Sequence, residues 1–278
     1  MNSDKFKILI LGGGTGGISV AARLVRLGFS GQIGIIEPSD VHYYQPYWTL
    51  AGTGQVRKES SRRSMDSVMP RGVHWIKDTV KSIFPESNEV ETARGLRVRY
   101  DVLVVALGLE LNFEKIEGAR EALGKNGVIS VYDYNQLDGA WEAISQFKGG
   151  RAIFTMPPVP IKCAGAPQKV MYLADSVWRT NGVRSKSEII FASAGAAIFG
   201  IKEFAGPLNN VVARKGIETK FQSKLIAIDG TRKIATFESN TGGSPVKEEL
   251  KFDLLHVVPP MSAAAVIRES SLASSEEG

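Results

Sequence analysis

The feature that most constrains this chain is a glycine-rich turn close to its start. Gly12, Gly14 and Gly17 follow the apolar run KILIL and open the helix-like run ISVAARLVRLG. A further apolar run, GQIGIIEP, contains Glu37 twenty residues beyond Gly17 (37 minus 17). This order of strand, G-x-G-x-x-G turn, helix, strand and acidic residue predicts a βαβ unit that binds a dinucleotide.

Each residue of the glycine motif has its own physical task. Gly12 permits a tight turn, Gly14 lets the main chain approach a pyrophosphate, and Gly17 lets helix and strand pack closely. The helix N-terminus then offers unpaired N–H groups to the phosphates. Glu37 accepts hydrogen bonds from ribose hydroxyls and repels a 2′-phosphate, which favours FAD or NAD over NADP.

A second α/β pattern follows the first. Its predicted elements are a strand over Arg151 to Met156, a helix over Ala166 to Arg179, a strand over Glu188 to Ala194, a helix over Ile201 to Lys215, a hairpin formed by FQSKLIAID and RKIATFES, and a strand over Phe252 to Met261. We therefore predict an α/β fold with two Rossmann-like three-layer domains of the FAD/NAD(P)-binding type, the second without a nicotinamide fingerprint. The expected division is 5–150, 151–262 and a polar tail over 263–278.

The turn of the second half differs from the turn of the first. Between Met156 and the next helix, the chain has three prolines (157, 158 and 160), a fourth proline at the helix start, and the single glycine Gly165. Such a loop cannot form the close pyrophosphate turn. NAD(P)H is therefore not expected as the hydride donor.

The only cysteine of the chain, Cys163, lies in this proline-rich loop. It precedes a helix and has Lys162 and Lys169 nearby, and a helix N-terminus and cations both favour thiolate, the nucleophilic form. The alternative is a buried structural cysteine, the commoner role of a lone cysteine. His42 and His256 are candidates for proton carriers, again with a structural alternative.

Composition excludes several classes of protein. The 278 residues are 43% hydrophobic, enough for about two domains without stabilising disulfides. One cysteine and three histidines argue against a metal centre. The net charge of +5 is spread along the chain, so no nucleic-acid partner is expected. The uncharged stretches are too short for a helix that spans a membrane. The residues before the first strand are too few for a transit peptide.

Several motifs together resemble the sulfide:quinone oxidoreductases of the mitochondrial type. They are the glycine turn, HYYQPYWTLAGTG, ALGLELNFEKIEG, IKCAGAPQK and LLHVVPPM. The resemblance implies a flavoprotein that binds FAD, oxidises sulfide through cysteine persulfide chemistry and passes two electrons to ubiquinone. It also implies a peripheral place on the mitochondrial inner membrane and a sulfur acceptor such as sulfite or glutathione.

The resemblance also assigns site residues. It makes Cys163 the redox cysteine nearer the N-terminus and Lys169 a cation of the active site. The expected cofactor-binding residues are Gly12, Gly14, Thr15, Gly17, Glu37, Gln45 and Gly108. Gly108 ends the segment Ala106 to Gly108, which is similar to the Ala-Thr-Gly motif of the superfamily but has leucine in the middle.

Members of this family continue beyond the last matching strand with a second FAD segment, a partner cysteine and amphipathic helices. None of these is in the present sequence, so we expect a C-terminally truncated form that cannot complete a cysteine pair within one copy. Two alternatives stay open. One is a flavoenzyme similar to type II NADH:quinone oxidoreductase, and the other is a truncated isoform that binds FAD without turnover.

Overall fold

Strands and helices alternate along the chain, as the sequence predicts. The computed structural model describes residues 5–239 and 244–275. Within these ranges the strands are β1 (Lys5–Leu11), β2 (Ile33–Ile36), β3 (Val41–Tyr43), β4 (Arg62–Ser64), β5 (Val73–Ile76), β6 (Val80–Phe84), β7 (Glu89–Thr92), β8 (Arg97–Val105), β9 (Leu109–Leu111), β10 (Val128–Ile129), β11 (Gly150–Met156), β12 (Ser187–Ser193), β13 (Ile217–Lys220), β14 (Ser223–Asp229), β15 (Ile234–Ser239), β16 (Val246–Lys251), β17 (Leu254–His256) and β18 (Met261–Ala263). The α-helices are α1 (Thr15–Leu24), α2 (Trp48–Ala51), α3 (Met65–Val68), α4 (Ala119–Ala122), α5 (Leu137–Ser145), α6 (Ala166–Thr180), α7 (Lys202–Lys215) and α8 (Ala265–Arg268).

These elements form two compact units that are discontinuous in sequence. Of the described residues, unit 1 takes 5–45, 61–110 and 262–275, and unit 2 takes 46–60 and 111–261. The predicted boundary near residue 150 differs from this division, because the chain changes unit four times. Simple patterns of strand and helix cannot reveal such a change, since each segment has an ordinary length and composition.

The sheet of unit 1 has six strands in the order β5-β2-β1-β8-β7-β6. β5, β2, β1 and β8 are parallel, and the hairpin of β6 and β7 joins β8 antiparallel. Ile8 and Ile10 of β1 pack with Ala21 of α1, while Leu9 and Leu11 point into a separate core on the other face. β1 is apolar throughout this stretch because a parallel strand is buried on both faces.

The first helix begins earlier and ends earlier than the sequence predicts. α1 starts at Thr15, inside the glycine motif, and ends at Leu24, where a π-helical turn over Val25–Phe29 follows. Gly28 in that turn has φ +93°, so the glycine stands where the chain needs a left-handed conformation.

The sheet of unit 2 has five parallel strands in the order β10-β17-β11-β12-β13. Phe154 of β11 packs on Trp178 of α6 with ring centroids 6.2 Å apart, so α6 covers one face. Ile153, the neighbouring residue, points to the opposite face and shares a core with Leu225 and Phe237. That face is covered by an antiparallel sheet, β14-β15-β16. The predicted α/β class and the predicted hairpin are confirmed.

Two predictions near the C-terminus were wrong in detail. The strand expected over Phe252 to Met261 is only Leu254–His256, because Pro259 and Pro260 have no N–H to continue a ladder. The segment 263–278, expected to be a polar tail, contains α8, whose Val266 and Ile267 pack on the core of unit 1. Residues 276–278 of the expected tail lie outside the described residues.

One buried carboxylate connects α6 with the following turn and with α7. Asp175 is fully buried and accepts hydrogen bonds from Arg179 at 3.0 Å and Arg184 at 2.7 Å, with Lys215 as a third cation. Burial by itself raises the pKa of Asp175, but these hydrogen bonds outweigh it, so the pKa lies below its ordinary value. The ion cluster therefore stays charged and holds three segments of unit 2 together.

His256, at the end of β17, is fully buried and its ring packs on Phe154 with centroids 5.9 Å apart. Neither ring nitrogen has a hydrogen-bond partner among the described residues. Burial lowers the pKa of His256 to about 3. The ring is therefore neutral at physiological pH, which favours the structural alternative for this residue over proton transfer.

This burial predicts that the free energy of unfolding falls as the pH is lowered. The unfolded chain takes up a proton at His256 near its ordinary pKa of about 6.5, whereas the folded chain resists it down to about 3. Stability is therefore lost as the pH falls from about 6.5 toward about 3, by up to about 1.4 kcal/mol per pH unit. We expect His256→Leu to flatten this dependence, measured by urea unfolding at several pH values.

A matched control is His74→Leu, because His74 of β5 is exposed. The control variant should keep the pH dependence of the unchanged protein. Since the slopes with pH are compared, a constant loss of stability in either variant does not matter. An equal slope in the His256→Leu variant and the unchanged protein would contradict the prediction.

Candidate functional site

The glycine turn of unit 1 is closed by contacts that leave no room for side chains. Gly12 has φ +99°, and a Cβ atom there would lie 2.4 Å from the carbonyl oxygen of Ala106. A Cβ atom at Gly17 would lie 1.9 Å from the carbonyl oxygen of Gly12. Both distances are far shorter than any tolerated contact, so glycine at these two positions is a requirement of the fold.

Gly14 stands in a different environment. It is the residue before α1, it is exposed, and no other group lies within 4 Å of a Cβ atom built there. Its φ of −68° and ψ of −176° suit any residue, so the backbone does not demand glycine. No side chain caps the N-terminus of α1, so its N–H groups face an open space. An open helix N-terminus of this kind suits a phosphate group.

Glu37 is held against this turn by main-chain donors. Its Oε2 accepts the N–H of Gly13 at 2.8 Å, and its Oε1 accepts the N–H of Ser39 at 2.8 Å. The indole of Trp75 donates to the main-chain oxygen of Glu37 at 2.8 Å. A Cβ atom at Gly13 would come within 2.7 Å of the Glu37 side chain. Glu37 thus lies at the turn, as the sequence spacing predicts.

Gly13 is a site residue that sequence reasoning missed. It falls between the spaced glycines of the motif, so the motif assigns it no task. The available signal was the unbroken run Gly12 to Gly14, because a third consecutive glycine indicates a further close contact.

The other predicted cofactor residues lie in the same unit. Ala106, whose N–H donates to Leu11 at 2.8 Å, touches Gly12, and Gly108 follows with φ +75° and open space around it. Thr15 is exposed at the start of α1, and Gln45 is exposed at the start of a 3-10 turn. The structure brings the glycine turn, Glu37 and the segment Ala106 to Gly108 together. The binding roles of all seven residues stay predictions.

The predicted thiol site lies in unit 2, in the loop between β11 and α6. Cys163 is exposed, three residues before the first residue of α6. Its carbonyl oxygen accepts the N–H of Ala166 at 3.1 Å. Lys169 is exposed in the first turn of α6, and its N–H donates to Gly165 at 3.0 Å. The exposure of Cys163 contradicts the alternative of a buried structural cysteine.

Two residues outside the cysteine loop, Tyr132 and Met261, form hydrogen bonds with it. The sequence did not indicate either residue. The hydroxyl of Tyr132 donates to the carbonyl oxygen of Cys163 at 3.3 Å, and the N–H of Lys162 donates to the sulfur of Met261 at 3.2 Å. Tyr132 is only 6% exposed. Burial raises the pKa of its hydroxyl, and a negative charge on Cys163 raises it further. The hydroxyl therefore remains a protonated donor.

The side-chain clusters and the helices of residues 5–239 and 244–275 bear on metal binding and on membrane spanning. These residues contain no group of three or more His, Cys, Asp or Glu side chains placed to hold a metal ion. Their helices include none with the length and apolar character needed to cross a bilayer. The absence of a metal stays a prediction for the whole protein.

Comparisons with known proteins agree with the predicted fold and with the family resemblance. Residues 6–142 match the family model described as pyridine nucleotide-disulphide oxidoreductase. The chain is 42% identical to the mitochondrial sulfide:quinone oxidoreductase of Dictyostelium discoideum and 39% identical to that of Mus musculus. Each alignment covers 98% of this chain and 60% of the relative. The chain therefore spans about three fifths of the length of these curated relatives.

A solved structure shows that the fold is shared as well. The sulfide:quinone oxidoreductase of Aquifex aeolicus matches with a TM-score of 0.77 at 19% identity, over 98% of this chain and 61% of that one. The predicted Rossmann-like fold is thereby confirmed.

The contrast between Gly14 and Gly17 generates a paired prediction. Gly17→Ala places a methyl group against the Gly12 carbonyl and should lower the thermal unfolding midpoint by about 6 °C or more. Gly14→Ala meets no atom and should keep the midpoint within about 2 °C. The same methyl group occupies the open space at the helix N-terminus, so affinity for a dinucleotide should fall by about tenfold or more.

Differential scanning fluorimetry and a dinucleotide titration of both variants would check the pair. Equal losses of stability in the two variants would contradict the division between a packing glycine and a binding glycine. Unchanged affinity in the Gly14→Ala variant would contradict the location of the phosphate site.

Proposed function

We propose that this chain belongs to the sulfide:quinone oxidoreductase family, that it binds FAD, and that it takes part in oxidising hydrogen sulfide, with ubiquinone as the electron acceptor. The single observation that carries the proposal is the identity of 39–42% over 98% of the chain. A flavoenzyme reaction of this type converts sulfide into persulfide, or sulfane sulfur, and the two electrons released leave through the flavin.

The residues around the first turn fit FAD. The space at Gly14, together with the uncapped N-terminus of α1, accepts a pyrophosphate. Each oxygen of Glu37 already accepts one N–H and retains a second lone pair for a ribose hydroxyl. We assign Gly12 and Gly17 to the shape of the turn, and we propose contacts with the cofactor for Thr15, Gln45 and Gly108. When bound, FAD supplies the two-electron redox chemistry that no side chain can supply.

Cys163 is proposed as the thiol that receives sulfur. In its oxidised state, paired with a second cysteine sulfur, it is open to attack by hydrosulfide. The attack forms one new sulfur–sulfur bond and breaks the existing one, which leaves a persulfide on one cysteine and a thiolate on the other. Since Cys163 is the only cysteine of this sequence, the second sulfur comes from outside it. The proposed roles of α6 and Lys169 are to favour the thiolate by their positive charge.

Exposure supports this role for Cys163. A thiol that exchanges sulfur with a small anion has to be reachable, and the thiol of Cys163 is exposed. The persulfide then passes its outer sulfur to an acceptor, for which sulfite and glutathione are the proposed compounds. The acceptor leaves the cysteine pair reduced, and the pair would return to the disulfide by giving its two electrons to bound FAD, ready for another cycle.

The geometry gives no support to NADH as the electron donor. The loop after β11 contains Pro157, Pro158 and Pro160, and its only glycine, Gly165, has φ −87°. The first turn, by comparison, depends on Gly12 with φ +99° and on close main-chain contacts. A nicotinamide dinucleotide therefore lacks the turn that would hold its pyrophosphate.

The names of the relatives also support a location. Both are mitochondrial proteins, and we propose that this chain acts in mitochondria. A peripheral position on the inner membrane would give access to ubiquinone, which is dissolved in the bilayer.

The test is an anaerobic sulfide titration of the purified, flavin-loaded protein, followed by flavin absorbance. We expect sulfide to bleach the flavin when a second thiol is added to supply the partner sulfur of Cys163, and NADH to leave the flavin unchanged. Cys163→Ser should abolish bleaching by sulfide, because serine forms no disulfide, while dithionite still bleaches the flavin of this variant. Dithionite thus serves as the control that bound flavin is present and reducible.

Three results would contradict the proposal. Bleaching by NADH would favour a type II NADH:quinone oxidoreductase. Normal bleaching by sulfide in the Cys163→Ser variant would remove Cys163 from the reaction. Bound flavin that does not respond to sulfide in the unchanged protein, with the second thiol present, would mean that these residues bind FAD without turnover.

A further inference from the structure

The main chain at Cys163 is fixed from two other segments of unit 2. Its carbonyl oxygen accepts hydrogen bonds from Ala166 at 3.1 Å and from the hydroxyl of Tyr132 at 3.3 Å. One residue earlier, the N–H of Lys162 donates to the sulfur of Met261 at 3.2 Å. Surface loops are mobile unless such bonds hold them. The thiol of Cys163 is thus exposed on a backbone that is held on both sides.

Tyr132 reaches this loop from a neighbouring part of the sheet. It follows β10, and its N–H donates to the hydroxyl of Ser130 at 3.2 Å, which fixes the turn after the strand. β10 and β11 are parallel strands of one sheet with β17 between them, so their carboxyl ends lie at the same edge. This topology brings together residues that are 31 positions apart.

The direction of the hydrogen bond favours a negative charge on the cysteine. Tyr132 donates its proton to the Cys163 carbonyl and so reduces the negative potential beside the thiol. Because the phenol ring is 6% exposed, the hydroxyl has few competing water molecules. A negative charge on Cys163 in turn raises the pKa of the buried Tyr132 hydroxyl, so this donor keeps its proton.

From this geometry we infer that Tyr132 is a positioning residue for Cys163, fixing the direction of the thiol and favouring the thiolate through the Cys163 carbonyl. The inference rests on the proposed function only for the importance of the thiolate. The contact itself is independent of flavin, sulfide and quinone.

The experiment measures the rate of alkylation of Cys163 by iodoacetamide as a function of pH. Cys163 is the only cysteine of the chain, so the alkylated fraction reports on this thiol alone. Tyr132→Phe removes one oxygen and keeps the buried ring. We expect the midpoint of the rate profile to move up by about half to one pH unit, which slows alkylation near pH 7 by about three- to tenfold. The limiting rate at high pH should be unchanged.

The matched control is Tyr172→Phe. Tyr172 lies on α6, is half-buried, and donates its hydroxyl to Gln168 at 3.2 Å, so the variant removes a similar bond that does not reach Cys163. Its alkylation profile should equal that of the unchanged protein. Thermal unfolding of both variants shows whether either has lost its fold.

Three outcomes would overturn the inference: an unmoved midpoint in Tyr132→Phe, an equal shift in Tyr172→Phe, or a change of rate that is the same at every pH. The last would indicate only a looser loop. Since alkylation requires neither sulfide nor flavin, a shifted midpoint together with a failed sulfide titration would leave Tyr132 in place and reject the proposed reaction. A normal sulfide titration with an unmoved alkylation midpoint would support the proposed reaction and reject the role of Tyr132.

Discussion

The contact between α1 and the glycine turn is the constraint on which unit 1 depends. The space between Gly17 and the carbonyl oxygen of Gly12 is too small for a single methyl group. This close approach packs the first turn of α1 against the end of β1, so the N–H groups at its start lie beside the glycine turn. Gly12 in turn lies against the main chain of Ala106, so the end of β8 is fixed by the same contact. Packing alone therefore gives the turn and the start of α1 the shape that the proposed phosphate site requires.

In this turn, glycines that are enclosed by packing differ from one that is open. Gly12, Gly13 and Gly17 are surrounded by other atoms of unit 1, whereas Gly14 faces open space with an ordinary backbone conformation. A motif written only as spaced glycines hides this difference. The same letter denotes glycines that the fold requires and a glycine, Gly14, whose proposed role is to leave space for a ligand.

Sequence patterns predicted the parts of the structure that rest on local periodicity and turn chemistry. The βαβ unit, α6, α7 and the hairpin of β14 and β15 follow from apolar repeats that tertiary contacts reinforce. β16 escaped prediction because five of its six residues are exposed, so its sequence VKEELK carries no apolar alternation. The two-residue strand β10 is too short to show any period.

The candidate sites also contain some residues that sequence spacing predicts and others that it does not. The positions of Gly12, Gly17 and Glu37 followed from spacing, because a βαβ unit has nearly fixed dimensions. Tyr132 and Met261 could not be found, since their contacts with the cysteine loop depend on the order of strands in the sheet. Strand order is a property of long-range pairing that a single sequence does not display. The division of the chain into two interleaved units escaped prediction for the same reason.

The two main-chain bonds to Glu37 have one further consequence. A free glutamate on a surface samples many rotamers, and fixing such a side chain during binding costs about 0.5–1.5 kcal/mol. Here the N–H groups of Gly13 and Ser39 already hold one carboxylate oxygen each. The conformational entropy of this side chain is lost when the chain folds and not when a ligand arrives. Glu37 is a preorganised acceptor, so its hydrogen bonds to a ribose would be gained without the ordering cost of a mobile acid.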